Sequence, residues 1–220
     1  MSTDPAVALV TDSTASLTDE DRERLQIEVV NLYVILNGEQ RPENEIDDFP
    51  GFYKAVLDSP QLTTTSQPSI GDFVEVYEPI LAEGKEIVSL HISAGISGTC
   101  EAARQAAEHL EAEGKGGERI TVVDSRTTAG SLALTLLAAA NAINEGKSRA
   151  EVVQQAETAR ESVQTLVMVD TLEYLRKGGR IGSAQALIGG ALKIKPIITL
   201  EETVKPFDKV RTKARAVKRL

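Results

Sequence analysis

A single cysteine, Cys100, stands in a chain of 220 residues. One thiol cannot build an internal disulfide framework, and such sparing use suits a reducing compartment. Histidine is nearly as scarce. His91 and His109 fall on different predicted elements and lack metal-ligand spacing, which argues against a zinc site. Basic charge is in short supply: 24 Lys and Arg face 33 Asp and Glu, for a formal net charge of -9. An acidic chain has no general attraction for nucleic acid or for an anionic membrane. Long hydrophobic runs are missing too. The most apolar stretch, "SLALTLLAAANAI" from 131 to 143, is too short to cross a bilayer. The opening "MSTDPAVALV" has neither the basic start nor the apolar stretch of a secretory signal. Together these absences predict a cytoplasmic protein without stable membrane insertion.

What is present is a repeated grammar. With 41% hydrophobic residues, the chain can form one large domain or two unequal lobes with real cores. Four apolar runs, "AVALVTDST", "EIVSLHIS", "ITVVDSRTT" and "TLVMVDT", each end in Ser, Thr or Asp. Their Val, Ile and Leu content suits strands buried on both faces. Helical patterns over 19–25, 70–83, 99–113, 127–145 and 149–163 separate them. This alternation predicts βαβ units and a mainly parallel sheet, with ligand binding outside the carboxyl ends of the strands. All four polar clusters are expected there, as a rim around a site. Residues 37–51 read as an excursion with a hairpin turn leading to a helix near Phe52. Residues 59–69, "SPQLTTTSQPS", read as a donor-rich loop whose Ser69 caps the next helix. The predicted organisation is an α/β N-terminal lobe over 1–160 and a C-terminal lobe over 161–220. In the latter, "KIKPIITLEETVKPFDKV" reads as two strands turning near Glu201 and Glu202. The tail from Lys205 to Leu220 holds seven Lys or Arg and one acid, Asp208. It reads as a solvated basic helix or a docking surface for an acidic partner.

The junction "SAGISGTC" at 93–100 is the first chemical candidate. Gly95 and Gly98 permit a tight turn and a close ligand. The helix predicted from Thr99 offers free N–H groups, and Ser93, Ser97 and Thr99 add hydroxyl donors. That set suits a carboxylate or a phosphate. It lacks both the lysine of a Walker loop and the spacing of a dinucleotide fingerprint. A serine hydrolase would need His91 or His109, neither well placed. Asp12, Asp124 and Asp170 sit at predicted strand ends as conceivable metal ligands, and Cys100 reads as a small buried helix residue. The second candidate is "DTLEYLRKGGRIG" at 170–182, where Arg176, Lys177 and Arg180 surround a Gly-Gly turn. It reads as a basic helix C-cap or as a cationic arm for a ligand anion or an acidic partner.

Five stretches in order, "VTDSTASL", "TTSQPS", "ISAGISGTCEAAR", "VVDSRTTAGSLAL" and "DTLEYLRKGGRIG" with "KIKPIITL", resemble the DegV family, the fatty-acid-binding subunits of bacterial fatty acid kinase. The resemblance spans essentially the whole chain. It implies a two-lobed α/β fold: a mainly parallel N-terminal sheet flanked by helices, and a smaller α+β C-terminal lobe. It implies a long-chain fatty acid in a buried cavity, its carboxylate held by Thr65 and Ser97 with Ser66, Gly98 and Thr99 beside them. Arg180 is expected near that carboxylate, with Arg176 and Lys177 facing the ATP-binding kinase subunit. The family's binding subunit is a carrier without a catalytic residue, metal or cofactor of its own. The apolar, small-residue stretches "SLALTLLAAANAI" and "AQALIGGAL" could make room for the acyl tail or pack as ordinary core. Family members usually continue to a His-Gly stretch, whereas this sequence ends at "RTKARAVKRL", so the C-terminal lobe is expected to be incomplete. A small-molecule kinase and a regulatory interaction module are the competing readings.

Overall fold

The structure is a computed structural model and describes residues 6–188 and 194–220. In chain order its elements begin with β1 (Val7–Asp12), α1 (Asp19–Leu25), β2 (Ile27–Val30), β3 (Tyr33–Leu36) and β4 (Glu39–Pro42). Next come α2 (Phe49–Asp58), β5 (Thr64–Ser66), α3 (Ile70–Ala82), β6 (Glu86–His91), α4 (Thr99–Ala112) and β7 (Ile120–Asp124). The remainder is α5 (Ala129–Asn144), α6 (Arg149–Ser162), β8 (Thr165–Met168), α7 (Glu173–Lys177), β9 (Lys195–Glu201), β10 (Thr203–Val210) and α8 (Lys213–Val217).

The apolar runs build a parallel sheet in the order β2-β1-β6-β7. Strand side chains alternate between its faces, and each face has its own core. Leu9, Ile27, Val88, Leu90 and Val123 meet Leu132, Leu136 and Ala139 of α5 and Val152 and Ala156 of α6. Val10, Val30 and Ile87 meet Phe73 and Tyr77 of α3 and Ala103, Ala106 and Leu110 of α4. Each buried Leu or Ile stabilises the fold by roughly 1.5–3 kcal/mol. Small residues on α4 let that helix lie close to the sheet. Ser69 caps α3 as expected, in a reciprocal box: Asp72 N–H donates to its hydroxyl at 3.1 Å, and Ser69 N–H donates to Asp72 Oδ2 at 2.7 Å.

Two antiparallel sheets complete the fold. One has the order β10-β9-β8 and packs Ile198, Leu200 and Val204 against Leu172, Ile181 and Ala184. The other has the order β4-β3-β5. Its β3–β4 hairpin turns through Asn37-Gly38, both with positive φ (53° and 85°), as a two-residue turn between right-twisted strands requires. The fold class expected from the alternation, a parallel sheet flanked by helices with further antiparallel structure, is what the chain adopts.

Four local expectations are corrected. Within 59–69, Thr64–Ser66 is not loop but the edge strand β5, paired with β3. The run "TLVMVDT" ends in Asp170, but β8 belongs to the antiparallel sheet, so Asp170 is not on the parallel-sheet rim; it is exposed and bonds Lys195 at 2.6 Å. The basic tail is not one helix: Lys205 and Lys209 lie on β10, and only Lys213–Val217 is helical. In "AQALIGGAL", Gly182–Leu187 forms a 3-10 helix rather than an α-helix, and 189–193 lie outside the described residues. The run through 27–36 also held two strands, β2 and β3, that sequence reading passed over.

Candidate functional site

Three of the four polar clusters do converge, at the carboxyl ends of β1, β6 and β7. Asp12 is the hub, and it is fully buried. Its Oδ1 accepts from Thr14 N at 3.1 Å and the Thr14 hydroxyl at 2.5 Å; its Oδ2 accepts from Ile92 N at 2.8 Å and lies 3.0 Å from His91 Nδ1. Burial alone would push this carboxyl up. The contact with His91 and the hydrogen bonds from Thr14 and Ile92 outweigh it and hold Asp12 below the usual aspartate value. An ionised Asp12 has no proton to give, so Nδ1 carries one and donates. Nε2, on the other side of the ring, lies 2.6 Å from Ser89 Oγ, which lies 2.6 Å from the Tyr77 hydroxyl. Each polar group of this hydrogen-bonded series has a partner, which makes its burial tolerable. Burial drives the Tyr77 phenol well above its ordinary value.

Ser89, His91 and Asp12 thus have the connectivity of a hydrolytic triad, but all three are fully buried and Ser89 bonds on both sides. No substrate carbonyl has an approach to Ser89 Oγ, so the set is a structural strut beneath the rim. Sequence reading missed it. Its one signal is that Ser89 and His91 are polar at positions i and i+2 of a strand otherwise apolar from Ile87 to Leu90, and so share a face.

Above this strut runs the loop 93–98. Ser93 is buried, donates to the Glu202 carbonyl at 2.6 Å and accepts from Gly95 N at 3.2 Å. Gly95 is required here, because a Cβ would collide with that same Glu202 carbonyl at the β9–β10 turn. Gly98 lies against the side-chain amide of Gln67, just past β5, which a Cβ would displace. The "TSQPS" and "SGT" segments are therefore in direct contact. Thr99 is buried at the start of α4; its N–H donates to Ser97 Oγ at 3.3 Å, and Ser97 Oγ lies 2.8 Å from Thr99 Oγ1. Arg180 approaches the same loop, its Nε 3.5 Å from the Ile96 carbonyl while Nη1 donates to the Gly178 carbonyl at 2.7 Å. Ile96 also packs against the core of the β8–β10 sheet.

The predicted set is thus brought together in part. Thr65 is exposed on β5 and Ser66 half-buried, beside Gln67, which touches Gly98 between Ser97 and Thr99; Arg180 meets the same loop at Ile96. Arg176 and Lys177 stand apart on α7; both are exposed, and Lys177 bonds Glu173 at 2.7 Å. Asp124 is occupied structurally, its Oδ1 accepting from Ala94 N and Arg126 N. Cys100 is buried, and burial pushes its thiol up to about 12, which leaves it unreactive. Among the described residues no group of three or more metal-ligating side chains occurs, and no helix is long and apolar enough to cross a membrane. A cavity of about 540 Å³ lies between the β3–β4 hairpin and α2. It touches this site only through Val34, which pairs with Thr65 across β3 and β5.

This architecture has close counterparts. The model of the DegV family, described as uncharacterised protein, matches residues 6–220. Protein DegV of Bacillus subtilis is 36% identical over 216 residues, which cover 97% of this chain and 75% of that one. A DegV domain-containing protein of Streptomyces coelicolor is 40% identical over 97% of this chain and 74% of its own length. Among solved structures, a DegV family protein from Thermus thermophilus, described as binding fatty acid, superposes with a TM-score of 0.86 at 38% identity, over 97% of this chain and 74% of that one. The Bacillus subtilis DegV structure, described as a fatty acid binding protein, does so with a TM-score of 0.84 at 36% identity, over 98% and 75%. With a family model along nearly its whole length and the same fold at this identity, the chain belongs to the DegV family.

Proposed function

We propose that this chain is a carrier that binds a long-chain fatty acid and presents its carboxylate to a separate kinase subunit, which converts it to an acyl phosphate. Thr65, Ser66, Ser97, Gly98 and Thr99 hold the carboxylate, and Arg180 stands at the edge of that site. Arg176 and Lys177 face the kinase. Residues 1–160 supply the carboxylate site, residues 161–220 form the second lobe, and the system works in the cytoplasm. The carrier itself contributes no catalytic group, metal or cofactor.

One observation carries this reading: the loop 93–98 touches Gln67, beside the hydroxyl-rich β5 segment, at Gly98 and touches Arg180 at Ile96. An apolar-tailed acid requires this combination. Desolvating a carboxylate without donors is very costly. The paired hydroxyls of Ser97 and Thr99, at the start of α4, supply a donor beside the helix's partial positive charge. The tail gains roughly 0.8 kcal/mol for each methylene taken out of water. Six of the sixteen residues of α5 are buried, but Leu134 is exposed, which leaves apolar surface for an acyl chain. The relatives described as fatty acid binding proteins support the same ligand class.

The test is mass spectrometry of an organic extract of the purified protein. Near-stoichiometric fatty acid, released only on denaturation, is the expected result. A protein that arrives empty and also takes up no added fatty acid in titration overturns the reading.

A further inference from the structure

The β3–β4 hairpin and α2 present a second surface, away from Ser97, that is apolar and acidic at once. Helix α2 has no fully buried residue. Phe49, Tyr53 and Leu57 recur at i, i+4 and i+8, so they form one stripe, and they are 53%, 60% and 73% exposed. The inner side of the helix is no better filled. Phe52 and Ala55 line the cavity of about 540 Å³, opposite Val34, Leu36 and Ile46. A helix this short is marginal in water unless its apolar face is packed, so both faces of α2 are suited to receive something.

The charges say what kind of partner. Four carboxylates, Glu39, Glu45, Asp47 and Asp48, line the cavity against one cation, Arg41, which pairs with Glu39 at 3.0 Å. Asp48 caps the helix by accepting from Gly51 N. An apolar floor beneath an acidic mouth fits a long basic side chain, with methylenes against Phe52 and Ile46 and the charge among the carboxylates. A fatty acid anion or an anionic bilayer would meet like charge there. We propose that this surface docks a basic amphipathic helix of a partner protein, apolar residues on the Phe49–Tyr53–Leu57 stripe and a Lys or Arg in the cavity. The proposal does not depend on fatty acid binding.

The test uses the intact chain and amide NMR. The probes are a Leu/Lys amphipathic peptide of about five turns, its Leu/Glu counterpart, vesicles of zwitterionic and anionic lipid, and a dilution series of the protein alone. The expected result is saturable binding of the Leu/Lys peptide only, with shifts confined to 34–58. Affinity should fall by about tenfold in Tyr53→Ser/Leu57→Ser and again in Glu45→Gln/Asp47→Asn, and should weaken with salt. These side chains are outside the core, and an unchanged thermal melt establishes that the variants fold. Any of four results overturns the proposal: shifts mapping elsewhere, affinity unmoved by both variants, equal binding of the Leu/Glu peptide, or α2 shifts produced by vesicles or self-association instead.

Discussion

The parallel sheet and the hairpin with α2 are opposites in how they treat polarity. Beneath the sheet's rim, Asp12, His91, Ser89 and Tyr77 bury four polar side chains, each with a partner. On α2, Phe49, Tyr53 and Leu57 leave three apolar side chains more than half exposed, Tyr53 edge-on to its neighbour Phe52. The first arrangement is costly to break from inside and indifferent to solvent. The second contributes little to the isolated fold and has its value in what it meets. Stability and recognition are therefore separated in this chain, and substitutions should divide along that line.

The largest effect is expected at the hub. Asp12→Ala removes the partner of His91 and the acceptor of Ile92 N and Thr14, and should cost about 3–5 kcal/mol, as breaking a buried pair does; urea denaturation measures it. The same group gives the fold an acid limb. Asp12 is held below its ordinary value of 3.8, so its share of stability is complete above that value and drains as pH falls through the lowered one. Denaturation profiles from neutral pH to below about 4 should show a shallower acid slope in Asp12→Asn than in the parent. Gly95→Ala drives a methyl into the Glu202 carbonyl and should cost about 1–3 kcal/mol, read as a lowered denaturation midpoint. Ser97→Ala should leave the midpoint nearly unchanged and weaken fatty acid binding by about 1.5–3 kcal/mol, the range for a hydrogen bond to a charged group; isothermal titration separates the two. Smallest of all, Leu57→Ser should shift stability by no more than about 0.5 kcal/mol. A large loss there would erase the contrast between the two regions.

The sequence was most legible where one segment suffices to determine structure. The runs at 7–12, 86–91 and 120–124 are apolar enough to be strands whatever surrounds them, and the Ser69–Asp72 box announces α3. It was least legible where pairing decides. Thr64–Ser66 is three hydroxyl residues and looks like loop until β3 supplies its ladder. The run ending in Asp170 looks like its parallel counterparts, because an antiparallel neighbour leaves no local mark. The strut under the rim joins positions 79 residues apart, Asp12 and His91, and no spacing rule reaches that far. Of the site, the loop 93–98 was visible from its glycines and hydroxyls. Its meeting with the β5 segment was implied by family resemblance and is given physical form by Gly98 against Gln67.

One peptide unit has a disproportionate role. The carbonyl of Glu202 accepts from Ser93, and its N–H donates to the Arg126 carbonyl at 3.1 Å, so the β9–β10 turn is fastened to the ends of β6 and β7 through main-chain atoms of a single residue. The Glu202 side chain adds only a long surface pairing with Arg126. Alanine at 93 removes the bond that the Ser93 hydroxyl donates, whereas alanine at 202 leaves both bonds of that fastening in place. Proline would expose it, by deleting the N–H and forbidding the left-handed φ of 66°, and so would a backbone ester at 202. The two sheets are coupled by a rivet whose Glu202 end no alanine substitution at that residue reveals.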